Sequence, residues 1–312
     1  MDENFLGFQF SPLRLSDYSS LSGFLERHPQ PLTGYTFSTL AAWQPFFRYS
    51  WVFAEPEVLF ISCIIDPDPN QHLLQPLGSP SAALKAQLVD RAGRLNYALK
   101  LIGVSAAFIK ENPDLLQSFS AREDRVVSNY VYSTRSLAEL PGRKYAKKRN
   151  LMAQASNLYP WSCKELTGSL TSLCFAVLNS IQEEEHPLME GMLKRELAAL
   201  ECTLRHFDEF GQKGVVILVD ERPVAFSIYE AINPTTVAIH FERALRSYKG
   251  LYQVVNWETA KVIAAQGFEF INREEDLGDK GLRAAKLSYH PVEIVPAYEL
   301  VHGRRGTVTS IP

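Results

Sequence analysis

Apolar and polar residues alternate with two different periods along this chain, and each change of period marks a new element. In the first half, Phe8 to Arg14 reads as a short strand and Ser16 as the N-cap of an amphipathic helix reaching about His28. Pro29, Pro31 and Gly34 stop that helix, and the aromatic-rich stretch Tyr35 to Tyr49 reads as a further short one. Strands are expected at Ser50 to Ala54 and Val58 to Ile64. Another is expected at Gln71 to Leu77, beyond the turn Asp66-Pro67-Asp68-Pro69-Asn70. A long helix over Ser81 to Ile102 then leads into an apolar strand, Val104 to Ile109. A short helix near Asn112-Pro113-Asp114 and an alternating strand, Val126 to Ser133, complete this half.

The second half repeats the plan. A strand at Trp161 to Leu166 precedes helices over Leu170 to Glu184 and Leu188 to Phe210. Three strands spaced as an antiparallel meander follow, Gly214 to Asp220, Val224 to Ala231 and Thr236 to Glu242. A helix from Gly250 to Gln266 returns the chain to a strand at Phe268 to Arg273, and Ala284 to Tyr289 reads as a last, cationic strand. The repeated order of strand, helices, meander, helix and strand suggests an ancient duplication of an α+β unit. The expected division is 1–134, a basic bridging helix over 135–157, a second domain over 158–302 and a frayed tail over 303–312.

With 312 residues, 46% of them apolar, the chain is long enough for two such cores. Its net charge of −3 gives no global attraction to nucleic acid or to an anionic membrane, so any such contact must come from a local basic patch. The cysteines Cys63, Cys163, Cys174 and Cys202 lie far apart, with no paired spacing and no histidine at zinc-ligand distance. They read as reduced core thiols, and no metal site is expected. No stretch approaches the ~20 apolar residues of a membrane span. The start, Met1-Asp2-Glu3-Asn4, lacks the positive region of a signal peptide. A cytoplasmic protein is expected, with peripheral membrane contact left open.

Four stretches carry candidate chemistry. The first is the turn Arg246-Ser247-Tyr248-Lys249-Gly250, which runs into a helix start that includes Gln253. Arg246, Tyr248, Lys249, Gly250 and Gln253 could hold a phosphate there on backbone N–H groups. Gly250 is followed by Leu251 and Tyr252, however, so the bare backbone that a CoA pyrophosphate needs is missing, and ordinary acyl-CoA binding is disfavoured. The second is the loop Asn272-Arg273-Glu274-Glu275-Asp276. Glu274 or Asp276 could take a proton from an ammonium or hold a cationic amino acid, with Asn272 and Glu275 beside them on the substrate. Lys286 would stabilise a tetrahedral oxyanion and Tyr289 would donate a proton, both from alternating positions of one strand. The plain alternative is a structural ion-pair network of Arg273, Glu274 and Lys286.

The third is Glu242, at the end of its strand and on the face shared with His240, either a base or a salt-bridge partner. The fourth is the basic helix. Arg143 with Lys147, and Lys144 with Lys148, stand four residues apart and make one cationic surface, to which Arg149, Asn150 and Tyr145 add contacts. Such a surface suits phosphates, and the alternative is a solvated inter-domain helix. Two further features read as ordinary structure: Glu183-Glu184-Glu185-His186 as a solvated helix end, and the aromatic residues over Tyr35 to Phe53 as core.

The stretches LAELPGRKYAKKRN, FERALRSYKGLYQVVNWE and INREEDLGDKGLRAAKLSYHP resemble the family named for the C-terminal domain of phosphatidylglycerol lysyltransferase, itself similar to the Fem-type aminoacyl-tRNA-dependent transferases. The resemblance covers nearly the whole chain. It implies an α+β fold of two tandem GNAT-like (acyl-CoA N-acyltransferase) domains, each a mixed, mainly antiparallel sheet flanked by helices. It also implies aminoacyl transfer from an aminoacyl-tRNA co-substrate to a lipid head group or a small amine or hydroxyl acceptor, without a further cofactor. Two departures stand out: the membrane enzymes carry a large transmembrane part, and where they tend to have Asp after the glycine turn this chain has Gln253. The alternatives are an N-acyltransferase using acyl-CoA or acyl carrier protein, and an inactive GNAT-like module that binds tRNA or anionic lipid.

Overall fold

Nonlocal strand pairing, more than local propensity, decides how this chain is divided. The computed structural model describes residues 4–185 and 192–303. The chain forms two units, one of Met1–Asn129 with Val295–Pro312, the other of Tyr130–Ile294. The division expected from the sequence therefore shifts. The basic helix Ala146–Leu158 belongs to the second unit and is not a bridge. The late strand Ala297–His302 belongs to the first, where it pairs on both edges, with Lys100–Ser105 and with Phe119–Glu123.

In the first unit, Ser50–Glu55, Val58–Ile65 and Asp68–Leu74 form an antiparallel meander. Helix Ala82–Ala92, capped by the Ser81 hydroxyl on the Leu84 N–H, then returns the chain to Lys100–Ser105, which runs parallel to Asp68–Leu74. That helix ends ten residues before the expected boundary at Ile102, because the chain from Lys100 enters the sheet as a strand. The expected strand Val104 to Ile109 is instead the end of that strand followed by helix Ala106–Glu111, which begins on a Ser105 cap. Phe10, Phe60, Leu84, Leu88, Leu101, Phe119 and Leu300 close the core.

The second unit repeats this plan. Lys213–Val219, Arg222–Asn233 and Thr236–Ala244 form the meander, with Trp161–Leu166 on its edge. Helix Leu251–Ala265 crosses over to Phe270–Asn272, which runs parallel to Thr236–Ala244. The next strand in the sheet, Asn129–Ser133, comes from far upstream, as Ala297–His302 comes from far downstream in the first unit. Each sheet thus takes one strand from the distant part of the chain.

The expected cationic strand Ala284 to Tyr289 is a helix, Lys280–Leu287, capped by the Asp279 carboxylate on the Leu282 N–H at 2.6 Å. Lys286 and Tyr289 therefore do not alternate on a strand. Of the remaining expectations, His186, the helix start at Leu188 and the tail beyond residue 303 lie outside the described residues. Among the described residues no helix is long and apolar enough to cross a membrane.

Candidate functional site

Strand Thr236–Ala244 pairs with Phe270–Asn272 only through Thr236, Val237 and Ala238. Beyond Asn272 the second strand turns away. The Asn272 side-chain oxygen accepts the Glu274 N–H at 2.8 Å, Glu274 takes a left-handed φ of 58°, and the Arg273 N–H goes to the Tyr130 carbonyl. Ile239 to Ala244 continue without that neighbour, so the sheet opens into a V. Its first strand is bulged. Ile239 and Phe241 stand opposite the successive residues Tyr229 and Ile228, leaving His240 as the extra residue. The alternation changes phase there, which is why His240 and Glu242 meet different partners rather than sharing a face.

Charged side chains cross the opening in two groups. In one, His240 is buried with both ring nitrogens on carboxylates, Nδ1 to Glu274 and Nε2 to Glu230, each at 2.7 Å. Burial works against the cation, but the two carboxylates outweigh it and hold the imidazolium up to about 10. In the other, Glu242 accepts from the Arg273 guanidinium at 2.8 Å and from the Asn256 amide at 3.1 Å, so both its oxygens are engaged. Arg273 lies against the rings of Tyr289, at 5.0 Å, and Tyr132.

Behind these groups, burial shifts two more. Glu275 is raised by its withdrawal from water and by Glu274 beside it. Lys286 is lowered, first by burial and then by Arg273; its ammonium donates to the Arg273 carbonyl. Lys148 reaches in from the basic helix, with Nζ 3.8 Å from the Tyr289 ring centre and 2.7 Å from the Ser288 hydroxyl. Burial, then the Arg273 guanidinium, brings Lys148 down to about 8. Burial also pushes the Tyr289 hydroxyl up to about 12. Opposed shifts of acids and bases in one cleft are a signature of functional sites.

The structure brings Glu242, Glu274, Glu275, Lys286 and Tyr289 together at this opening. Asp276 is separate and buried. It receives Arg283 through two bonds of 2.7 and 2.9 Å and the Tyr130 hydroxyl, and Arg283 above all holds it well below the carboxylate range. The structural network of Arg273, Glu274 and Lys286 read in the sequence is wired differently, since Arg273 pairs with Glu242 and Glu274 with His240.

At the glycine turn, Gly250 has φ +88° and a Cβ there would lie 2.4 Å from the Leu151 carbonyl oxygen. The glycine is required by close passage of the basic helix. The Leu251 and Gln253 N–H groups are spent on the Tyr248 and Gly250 carbonyls, so the expected bare phosphate cradle is not presented. The Ala244 N–H bonds to the Tyr252 hydroxyl. Tyr248 packs at a tilt against Tyr159, and Arg246 and Lys249 are exposed.

On the basic helix, Arg149 is tied to the Leu140 and Gly142 carbonyls and so braces the preceding turn. Arg143, Lys144, Lys147 and Asn150 are exposed. Sequence reasoning passed over Glu230, Asn256 and the inward reach of Lys148. A lone acid in the apolar run Val224 to Ala231 was the available signal for Glu230.

No curated protein matches the sequence. Among solved structures, a conserved protein of unknown function from Bacteroides thetaiotaomicron is 28% identical, with a TM-score of 0.84 over 94% of this chain and 99% of its own. The C-terminal domain of a putative lysylphosphatidylglycerol synthetase from Agrobacterium fabrum is 14% identical, with a TM-score of 0.65 over 93% of this chain and 92% of its own. FemX is 10% identical, with a TM-score of 0.56 over 94% and 97%. These likenesses agree with the two mixed sheets in giving a tandem GNAT-like α+β fold. The family pattern described as phosphatidylglycerol lysyltransferase, C-terminal, matches residues 27–301. The chain belongs to the phosphatidylglycerol lysyltransferase C-terminal domain family.

Proposed function

We propose that the second unit transfers an aminoacyl group from aminoacyl-tRNA to a lipid head group at the V-shaped opening. The observation that carries this reading is the gathering of Glu242, Arg273, Glu275 and Lys148 where two parallel strands part. The hydroxyl of the acceptor attacks the donor's ester carbonyl, a new ester forms, and the tRNA terminal ribose leaves as the alcohol. Glu275, raised toward neutrality, takes the acceptor's proton and can return it to the leaving oxygen. The Lys148 ammonium, supported by the Tyr289 ring, faces the developing oxyanion. Glu242 and Arg273 brace one another, and Lys286 fixes the Arg273 backbone. Arg246 and Lys249 meet the donor's terminal phosphates. No cofactor beyond the aminoacyl-tRNA is needed, and the spent N–H groups at the helix start argue against acyl-CoA.

The test is appearance of labelled amino acid in lipid extracts after mixing the protein, phosphatidylglycerol vesicles and a panel of aminoacyl-tRNAs. Glu275→Gln and Lys148→Ala are expected to abolish transfer with melting unchanged. Full turnover in both variants would remove them from the chemistry. The two ion-pair bridges across the opening favour a second reading, an inactive binding module; tRNA or lipid binding without transfer across the whole panel would support it.

A further inference from the structure

Helix Lys280–Leu287 is built inside out. Two of its three charged residues, Arg283 and Lys286, reach inward, to Asp276 and to the Arg273 carbonyl, and Lys280 is exposed. Its leucines, Leu282 and Leu287, are 40% and 43% exposed. Five of the eleven large apolar side chains exposed among the described residues fall within residues 277–294, with Val292 the most open of these at 57%. Scattered exposed apolar residues need no explanation, but a concentration on one short segment does.

The segment is pinned beside the basic helix. The Ser288 hydroxyl receives Lys148 at 2.7 Å, the His290 ring packs on Tyr145 at 5.3 Å, and His290 Nε2 meets the Lys144 carbonyl at 3.4 Å. Arg143, Lys144 and Lys147 are exposed there, and none forms an ion pair with a carboxylate among the described residues. Aliphatic and cationic side chains therefore share one surface, next to the opening between the parted strands.

We propose that this surface docks the second unit onto an anionic lipid bilayer. Leu282, Leu287 and Val292 would enter the head-group boundary and Arg143, Lys144 and Lys147 would meet lipid phosphates. The partner follows from the mixture. A nucleic-acid backbone would engage the cations alone and would leave the exposed leucines and valine facing water. A second copy in a two-fold contact would set the same three cations against themselves. The inference rests on the lipid-acceptor reading above and deepens it: the basic helix serves the acceptor's membrane, and the donor is left to the Arg246 turn.

The test is co-sedimentation of the whole protein with phosphatidylcholine vesicles, with or without phosphatidylglycerol, at low and high salt. The protein is expected to pellet with the anionic vesicles at low salt and to be released by salt. Leu282→Asp with Leu287→Asp should weaken pelleting at least tenfold, and Arg143→Glu with Lys147→Glu should do so by roughly fivefold or more per charge. Circular-dichroism melting establishes that each variant is folded, and either folded pair alone decides the outcome. Pelleting unchanged in either folded pair, no pelleting of the parent protein, or dimerisation abolished by the leucine pair would overturn the proposal. So would tRNA binding lost in the basic pair without any vesicle binding. Pelleting without transfer would remove the aminoacyl reading and leave docking standing. Transfer to a soluble acceptor without pelleting would do the reverse.

Discussion

Replacing His240 with Gln gives a pH-dependent loss of stability whose sign and slope follow from the geometry. In the native protein the imidazolium donates to Glu274 and Glu230 at 2.7 Å on each side and is buried, so it keeps its proton up to about pH 10. In the unfolded chain it loses that proton near the ordinary value of 6.5. The folded-state value is the higher one, so the stabilisation is complete below about pH 6.5 and is lost as pH rises toward 10. Within this window the native state holds one more proton than the unfolded state, and the stability falls by roughly 1.4 kcal/mol per pH unit. Between about pH 7 and pH 9 the native protein should therefore lose ~3 kcal/mol relative to His240→Gln, which has no proton to hold. Urea denaturation of both proteins across this range measures the difference, and titrations common to both cancel. A difference that stays flat from pH 7 to 9, or grows with pH, would refute the cationic bridge.

Three further outcomes are expected. Gly250→Ala should cost about 2–4 kcal/mol in urea, because a left-handed φ and contact with the Leu151 carbonyl both oppose the methyl group; a loss under ~0.5 kcal/mol would return Gly250 to a ligand role. Glu242→Gln strands the Arg273 guanidinium among rings and should destabilise the fold by about 3–5 kcal/mol, and a variant as stable as its parent would show that Arg273 does not depend on the pair. Titration calorimetry should give no micromolar CoA binding, and such binding would mean that Tyr252 and the spent N–H groups at the helix start can move aside.

The strands and the helix that frame the V-shaped opening were legible because they are local. The meander strands are short apolar runs set between turn residues, Gly250 marks a helix start, and one crossover helix joins two strands. What escaped was nonlocal or inverted. The pairing of Ala297–His302 inside the first sheet leaves no mark in either stretch, since an apolar strand reads the same wherever it docks. Helix Lys280–Leu287 reads as a strand because Arg283 and Lys286 reach inward while Leu282 and Leu287 face out, which defeats any argument that assumes apolar residues are inside. Gly250 was visible as a special residue, but its cause, the Leu151 carbonyl, lies about a hundred residues upstream.

The same wiring divides the carboxylates of the opening by role. Glu242 gives both oxygens to Arg273 and Asn256, and Glu274 is bound by His240, so each is already committed to a cation or an amide. A group in that state holds geometry and is poorly placed to exchange protons with a substrate. Glu275 differs, because burial and the adjoining Glu274 raise it, and an acid shifted that way can both accept and return a proton near neutrality. Glu274 therefore contributes through its carboxylate beside Glu275, which raises it. The His240 imidazolium acts in the opposite direction and lowers Glu275. The bridge from Glu230 through His240 to Glu274 thus acts as a positioning device for Glu275. His240→Gln removes that cation, so it should move the acid limb of any transfer pH profile upward while leaving Glu275 in place, and an unshifted limb would show that the bridge acts on Glu275 too weakly to matter.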